Sequence, residues 1–352
     1  MSAAPNPGVA LRIAFMGTPA FAVPSLLGLL SLDTIAGRPV RVVAVVTQPD
    51  RPAGRGGRVA AGPVKEAALA AGVSVLQPER LRRPENVAAL AEYAPDLIVV
   101  AAFAQILSRP VLALPPLGCL NVHASLLPRW RGAAPINAAI LAGDVETGVT
   151  IMKMDPGLDT GPMLTRRALP IRDDDTAGTL TPRLADLGAA LLLETVGPWV
   201  EGVLTPQSQD EDLATATGLL TREDGRIDWS ARDAASIARM VRAYDPWPGT
   251  FTHLDGAVLK IKAVIALDGS TISPVDAPSA GAPDSLVPGY VLTREEVTPL
   301  MERHGLRWPC LLVVAAENTI VRVTVVQPEG KKAMSAADYL HGQPSIVGTM
   351  LG

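Results

Sequence analysis

An asparagine and a histidine stand two positions apart in the segment N-V-H-A-S-L-L-P-R-W-R-G-A-A-P, residues 121–135. The apolar run around them predicts a strand over residues 119–125. Alternate residues of a strand share one face, so Asn121 and His123 should point the same way. An amide beside an imidazole can stabilise an oxyanion, and the imidazole can move a proton near neutral pH. Taken alone, His123 is better explained as a hydrogen-bonded structural residue, but with its asparagine partner it indicates catalysis.

Two carboxylates follow in a loop rich in glycine and proline, at Asp155 and Asp159. A carboxylate can orient a histidine ring and stabilise its protonated form. Aspartate is also favoured in turns, so both residues have an ordinary structural explanation. Spacing alone does not choose between the two aspartates as the partner of His123.

A third segment, residues 47–65, contains a glycine-rich stretch with four basic residues and no acidic one between positions 51 and 65. Its basic residues are Arg51, Arg55, Arg58 and Lys65. Glycine favours a mobile loop, and arginine is suited to contacts with phosphate groups. The alternative is an ordinary solvated loop. In a parallel sheet, this loop would lie at the same edge as His123.

Strands and helices alternate over roughly the first 200 residues, and these elements must position the candidate groups. Continuous apolar runs predict strands at residues 11–16, 40–47, 96–103, 119–125 and 148–154. Strands without polar alternation are covered on both faces, which indicates a parallel α/β sheet. Such sheets bind ligands at the carboxyl ends of their strands. The first strand is followed by Gly17-Thr18-Pro19 rather than by a dinucleotide-binding glycine motif, so nothing supports NAD binding.

The pattern changes after about residue 205. A helix is predicted at residues 234–243, and short strand-like runs follow at 258–266, 289–292, 311–315 and 319–327. Short strands separated by glycine and proline are typical of a small β-barrel or sandwich. We therefore expect two domains, residues 1–206 and residues 207–352.

Composition narrows the class of protein. The chain has 352 residues, of which 48% are hydrophobic, and a net charge of −4, so global disorder and non-specific coating of nucleic acid are excluded. Any contact with nucleic acid must come from a local basic patch. The two cysteines fit no metal spacing, and no apolar stretch is long enough to span a membrane. We expect a cytoplasmic protein without a metal ion.

Three motifs together resemble the folate-dependent formyltransferase family: N-V-H at 121–123, S-L-L-P at 125–128 and D-T-G at 159–161. Further segments at 48–56, 129–136 and 331–336 are similar to members that act on methionyl-tRNA. The resemblance extends from about residue 11 to about residue 340. It implies that Asn121, His123 and Asp159 are the catalytic residues, which resolves the choice between the two aspartates.

The resemblance also implies a reaction and an architecture. A formyl group would pass from 10-formyltetrahydrofolate to the α-amino group of methionyl initiator tRNA, in support of translation initiation. A Rossmann-like, mostly parallel sheet domain would carry catalysis, and a smaller OB-like β-barrel would help to hold the tRNA. We expect a monomer.

Binding residues are implied in the same way. The folate site would include Ser125, Leu126, Leu127 and Pro128. The loop at 48–62 would enter the acceptor stem of the tRNA, with Arg55 as its key residue. The remaining candidates for tRNA contacts are Arg51, Arg58, Lys65, Lys331 and Lys332, with Arg129 and Arg131 as further cations.

The sequence departs from the family pattern in a few places. Ala124 and Phe103-Ala104 replace residues that are often Gly and Tyr-Gly near the folate site, and segments 277–284 and 292–310 look like insertions. Rival functions are formyl transfer to an amino sugar, hydrolysis of formyltetrahydrofolate, and tRNA or folate binding without catalysis. The arginine-rich loop argues against a sugar substrate, and the intact catalytic set argues against a non-catalytic protein.

Overall fold

The computed structural model describes residues 9–53, 58–267 and 287–352. The chain forms two compact units. The first comprises Met1–Ile136, Val145–Ile171 and Thr179–Leu219, and the second comprises Asn137–Asp144, Arg172–Gly178 and Leu220–Gly352. The predicted boundary at residue 206 therefore falls inside the first unit. The division of folate and tRNA binding between residues 1–206 and 207–352 stays a prediction.

The strands up to residue 217 are β1 (Leu11–Gly17), β2 (Thr34–Ile35), β3 (Arg38–Val46), β4 (Arg51–Ala53), β5 (Arg58–Ala60), β6 (Val75–Leu76), β7 (Leu97–Ala101), β8 (Cys119–His123), β9 (Arg131–Gly132), β10 (Glu146–Lys153), β11 (Met163–Pro170) and β12 (Ala216–Thr217). The helices of this stretch are α1 (Val23–Leu30), α2 (Pro63–Ala70), α3 (Pro84–Ala91), α4 (Arg109–Leu112), α5 (Pro135–Ala142) and α6 (Ala177–Val200).

Among the described residues, eight strands form the main sheet of the first unit, in the order β11-β10-β8-β7-β1-β3-β2 with β6 beside β3. The central pairs β1–β3, β1–β7, β7–β8 and β3–β6 are parallel. The strand β10 is antiparallel to both β8 and β11. The prediction of a Rossmann-like, mostly parallel α/β sheet is confirmed.

Local sequence explains these elements. Every residue of β7 and of β8 is buried, which accounts for their continuous apolar runs. Helices α1 to α4 each carry proline in the first two positions, where the backbone N–H has no partner within the helix. Met16, Ile98 and Val100 belong to one buried cluster on this sheet. The strands β1 and β7 are therefore packed into a buried core close to their carboxyl ends.

The second unit contains an antiparallel sheet. Its strands are β13 (Thr250–Leu254), β14 (Ala257–Leu267), β15 (Leu311–Val314), β16 (Ile320–Pro328) and β17 (Met334–Ser335), and its helices are α7 (Ala234–Ala243), α8 (Arg294–His304) and α9 (Ala336–Gly342). The sheet order is β13-β14-β16-β15, with β17 paired to β16. A β-rich second domain was predicted, and this level of the prediction is confirmed. The OB-like topology stays a prediction.

The apparent insertion at residues 292–310 contains helix α8. Thr293 and Glu296 form a capping box at its start, and Gly305 ends it in the left-handed conformation. Val297 and Leu300 are buried in one cluster with Leu312 of β15. This segment thus contributes to the core of the second unit. The other apparent insertion, 277–284, lies outside the described residues.

Two strands of five or more residues were not predicted, and one predicted strand is absent. The edge strand β11 exposes alternate residues, and β13 buries Thr250 and Thr252, whose hydroxyls make this strand look polar in the sequence. The Thr250 hydroxyl donates to the carbonyl of Ile261, so its burial costs little. The strand predicted at 289–292 is wrong, because this segment makes only the isolated bridges Tyr290–Met350 and Val291–Val313.

No helix within the described ranges is both long enough and apolar enough to cross a membrane. Across the same residues, no group of three or more His, Cys, Asp or Glu side chains is arranged to hold a metal ion.

Candidate active site

Strand β8 carries Asn121 and His123 at its carboxyl end. It pairs in parallel with β7 on one side, and on the other side Met152 and Thr150 of β10 stand opposite Asn121 and His123. Asn121 is 8% exposed and His123 is 5% exposed. The strand ends at His123.

Asp159 lies against both of these side chains. Its Oδ1 accepts a hydrogen bond of 3.2 Å from the amide of Asn121, and its Oδ2 lies 3.6 Å from Nδ1 of His123. The side chain of Asp159 is 12% exposed. The three residues that the resemblance implied are therefore brought together, although positions 121 and 159 are far apart in the sequence. Their catalytic roles stay a prediction.

Asp155 has a different environment. Its Oδ1 accepts hydrogen bonds from the backbone N–H of Gly157, at 3.0 Å, and from the hydroxyl of Thr160, at 2.7 Å. This is the local turn that aspartate typically forms. Asp155 shapes the loop, whereas Asp159 faces the histidine.

The histidine ring is held between two oxygen acceptors. Its Nε2 donates to the carbonyl of Trp130 at 2.9 Å, and its Nδ1 faces Asp159. In this ring orientation, a neutral imidazole places its one N–H toward Trp130 and its lone pair toward the carboxylate. Protonation of Nδ1 places a positive charge against that carboxylate, which is a favourable pairing in a buried site.

The carboxylate of Asp159 is also held from the other side. The backbone N–H of Gly132 donates to its Oδ2 at 2.9 Å. Gly132 has a φ of 109°, and a Cβ there would lie 2.1 Å from the carbonyl oxygen of Thr217 in β12. Only glycine fits between β12 and the aspartate, which explains the Arg-Gly-Ala sequence of this turn.

Sequence reasoning assigned no role to the polar segment 207–217, which contributes residues to this region. Arg131 is buried and makes a two-pronged ion pair with Glu211, at 2.8 and 2.9 Å. Its Nε donates to the side-chain oxygen of Gln209 at 3.0 Å. This hydrogen-bonded pair holds the pKa of Glu211 below its usual value. Arg131 was considered a candidate for tRNA contact, but its charge is already used inside the first unit.

The predicted folate segment 125–128 is largely buried. Ser125 is 0% exposed and donates to the carbonyl of Arg129 at 2.6 Å. Leu127 packs in a cluster with Met152 and Met163. Pro128 is also buried, and Leu126 is half-buried. Leu127 is thus packed against residues of β10 and β11, and the contact of this segment with folate stays a prediction.

The family departures lie nearby in the first unit. Phe103 is 2% exposed and belongs to the same buried cluster as Met16. Its carbonyl accepts a hydrogen bond from the side chain of Gln48 at 3.1 Å. Ala104 is exposed with a φ of 60°, and Ala124 is buried.

The predicted tRNA contacts have unlike environments. Arg51, Lys331 and Lys332 are exposed. Lys65 binds Asp50 and donates to Gln77 at 2.7 Å, and the hydrogen bonds that Asp50 accepts, from Lys65 and then from Gln77, hold its pKa below the usual value. Arg55 and the side chain of Arg58 lie outside the described residues.

Cys119 also lies on β8, two residues before Asn121. Burial raises the pKa of its thiol to about 12. The thiolate is therefore scarce at neutral pH, and Cys119 is a poor nucleophile.

The sequence matches two profiles of one protein family. The profile described as "Formyl transferase" matches residues 11–196. This chain belongs to the formyl transferase family. The profile for the C-terminal domain of the family matches residues 219–298.

Relatives within the family are similar over nearly their whole length. A protein of Roseiflexus sp. (strain RS-1), named methionyl-tRNA formyltransferase, is 46% identical over 97% of this chain and 95% of its own. A protein of Methylococcus capsulatus with the same name is 44% identical over 97% of this chain and 100% of its own.

Solved structures show the same fold at lower identity. WlaRD, a sugar 3N-formyl transferase, aligns with a TM-score of 0.60 and 16% identity over 92% of this chain and 99% of its own. HypX from Aquifex aeolicus aligns with a TM-score of 0.55 and 18% identity over 96% of this chain and 50% of its own. At these identities the likeness concerns the fold alone.

Proposed function

We propose that this protein transfers the formyl group of 10-formyltetrahydrofolate to the α-amino group of methionyl initiator tRNA, in support of translation initiation. One observation carries the proposal. The buried Asn121 and His123 meet Asp159, whose side chain is 12% exposed, at the end of β8, in a chain that matches methionyl-tRNA formyltransferases over 97% of its length.

The site suits stabilisation of an oxyanion. When the amine attacks the formyl carbon, negative charge develops on the formyl oxygen, and prearranged donors in a buried site stabilise that charge. The side-chain amide of Asn121 has two N–H groups. One donates to Asp159, and the other can donate to the oxyanion. Nε2 of His123 is bound to the carbonyl of Trp130. For catalysis, the protonated ring must release this carbonyl and donate the hydrogen bond from Nε2 to the oxyanion instead.

Asp159 supports the charge on His123 and orients its ring. The carboxylate is itself fixed by Gly132 and Asn121, so it cannot turn away without breaking both hydrogen bonds. It also accepts, through water, the proton that the attacking amine must release. When the tetrahedral intermediate collapses, the bond between the formyl carbon and N10 of the folate breaks, and that proton passes to N10 as tetrahydrofolate leaves.

The decisive assay measures the transfer of radiolabelled formyl groups from 10-formyltetrahydrofolate to methionyl initiator tRNA. Free methionine, uncharged tRNA and nucleotide-linked amino sugars serve as controls, because a sugar formyltransferase is the main rival. We expect label on the charged tRNA alone. Labelling of an amino sugar at an equal or higher rate, or release of formate without transfer, would contradict the proposal.

Arg55 is proposed to grip the acceptor stem. The net charge of −4 means that global attraction cannot hold a tRNA, so binding depends on local cations. In Arg55→Ala, formylation should weaken, and the slope of log affinity against log salt should fall by about 0.7–0.9 for each phosphate group that the variant no longer binds. A salt titration of tRNA binding measures this slope, and Arg55→Lys should rescue binding only in part.

Arg82→Ala is the matched control for Arg55→Ala, because Arg82 is exposed and lies outside the loop. Folate binding should be unchanged in both variants. Superimposable salt titrations for wild type and Arg55→Ala would mean that the loop is an ordinary solvated segment.

The second unit is proposed to supply most of the affinity for tRNA. A chain ended at Leu219 keeps the segment 207–217, whose Gln207 and β12 are paired with Met163 and β9 in the first unit. It should retain folate binding and lose most of its tRNA affinity. Binding titrations with folate and with tRNA test these expectations, and circular dichroism reports whether the shortened chain is folded. Equal tRNA affinity in the full-length and Leu219-ended chains would refute the division of roles.

The remaining features of the proposal follow the sequence. The antiparallel sheet of the second unit is proposed to be an OB-like barrel. The protein is proposed to act in the cytoplasm, as a monomer.

A further inference from the structure

The side chain of Gln209 joins separate parts of the first unit. Its amide nitrogen donates to the backbone carbonyls of Asp159 and Gly161, both at 2.7 Å. Its amide oxygen accepts from Nε of Arg131 at 3.0 Å. Gln209 is 9% exposed, so these bonds are made away from bulk water and each unpaired partner would be costly.

The loop that Gln209 holds needs support. Asp159 has a φ of 54°, which is a sparsely populated conformation for a residue with a side chain. Gly161 runs so close to β10 that a Cβ would lie 2.0 Å from the carbonyl oxygen of Lys153. Because Gln209 binds the carbonyls on either side of Thr160, it ties this turn at two points.

The other end of Gln209 is anchored as well. Arg131 is fixed by its ion pair with Glu211, and the next residue, Gly132, donates its N–H to the carboxylate of Asp159. Gln209 thus binds Arg131, and the backbone N–H of the following residue, Gly132, binds the carboxylate of Asp159. Gln209 binds the backbone of Asp159 directly and its carboxylate through this neighbour.

The segment that carries Gln209 supports the histidine side too. The hydroxyl of Thr215 accepts a hydrogen bond of 2.8 Å from the backbone N–H of Trp130. The backbone carbonyl of Trp130 accepts the hydrogen bond from Nε2 of His123. Residues 209–215 therefore bind both the loop that carries Asp159 and the segment that contacts His123.

We propose that Gln209 is a positioning residue, whose amide group holds Asp159 at His123 and Asn121 in the geometry that formyl transfer needs. This inference rests on the proposed function, in which Asp159 supports His123. Gln209 acts through Asp159 and does not touch the reacting atoms.

Gln209→Glu tests the proposal with little change of shape. The new carboxylate still offers an oxygen to Arg131, but it places an oxygen instead of an N–H against the two loop carbonyls. We expect kcat to fall by about 10²-fold, as misplacement of a catalytic group by about 1 Å can do. The KM for methionyl-tRNA should change by less than about threefold, because ground-state binding is not altered. Gln207→Glu is the matched control, since Gln207 is exposed and pairs with Met163 through its backbone.

A second measurement separates positioning from general loss of structure. Hydrogen–deuterium exchange in residues 155–161 should become faster in Gln209→Glu, while exchange in β1 and β7 stays at the wild-type rate. If Gln209→Glu does not fold, Gln209→Met removes the same donors without adding a charge, and the same results are expected of it. Loss of turnover with unchanged exchange in the loop would overturn the proposal.

Asp159→Asn is assayed in parallel, so that failure of the inference is distinguishable from failure of the proposed function. A folded Gln209→Glu with turnover close to wild type, beside an inactive Asp159→Asn, would overturn the role of Gln209 alone. An active Asp159→Asn would overturn the catalytic assignment, and the role of Gln209 with it.

Discussion

His123→Ala is expected to fold and to lose turnover by roughly 10²–10⁴-fold, the range typical of a removed acid–base or oxyanion-stabilising group. The ring lies at the end of β8, with Nε2 bound to the carbonyl of Trp130 and Nδ1 facing Asp159. Alanine offers no donor to the formyl oxygen and removes the ring that faces Asp159. Steady-state formylation of methionyl-tRNA at saturating 10-formyltetrahydrofolate measures the loss.

His341→Ala is the control, because His341 is exposed on α9 in the second unit. It should keep the wild-type rate. The urea midpoint of each variant reports whether its fold is intact. A folded His123→Ala that turns over at nearly the wild-type rate would rule out a catalytic role for this histidine.

Asp159→Asn should lower turnover by about 10⁴-fold, the scale found when the orienting aspartate of a catalytic triad becomes asparagine. Asparagine tolerates the left-handed backbone at this position, so the variant should fold. Its amide nitrogen must then face a donor, either the N–H of Gly132 or the amide of Asn121. The negative charge opposite His123 is removed in either orientation. Single-turnover rates of formyl transfer measure the effect on the chemical step.

Asp155→Asn is a matched control for this variant. Asp155 accepts from Gly157 and Thr160 through one oxygen, and the side-chain oxygen of asparagine can accept both bonds. We expect turnover within about threefold of wild type, because both hydrogen bonds of the loop are kept and the substitution lies away from the reacting groups. If the two variants exchanged their effects, Asp155 would be the catalytic partner and the contacts seen in the structure would not describe the working site.

Some features of this protein are local enough to be predicted from the sequence. Continuous apolar runs predicted the buried strands β1, β7 and β8, because parallel strands covered on both faces have no polar side. Family membership, carried by short motifs, is confirmed by profiles and relatives. The period of a strand also placed Asn121 and His123 on one face.

Strands in which polar and apolar residues are mixed were harder to predict from the sequence. The edge strand β11 and the strand β13 were missed, because alternation in the first and buried threonines in the second hide their apolar side. Helix α8 was counted as part of an insertion, although its capping box at Thr293 and Glu296 is visible in the sequence. The Thr-x-x-Glu pattern is a sequence signature of a helix start, so the beginning of α8 could have been predicted.

By itself, the sequence determined the family, the alternating elements of the first unit and the strand that carries Asn121 and His123. Spacing left open which aspartate meets the histidine, and the family resemblance implied Asp159. The tertiary structure shows the physical reason, because the contact depends on a left-handed turn at Asp159 and on a hydrogen bond from Gly132, far away in the chain. It also placed Gln209, which lies in a polar segment of the sequence, in a buried position. Hydrogen bonds between distant backbone segments leave no periodic trace in a sequence, so only the folded chain shows which polar residues are held inside.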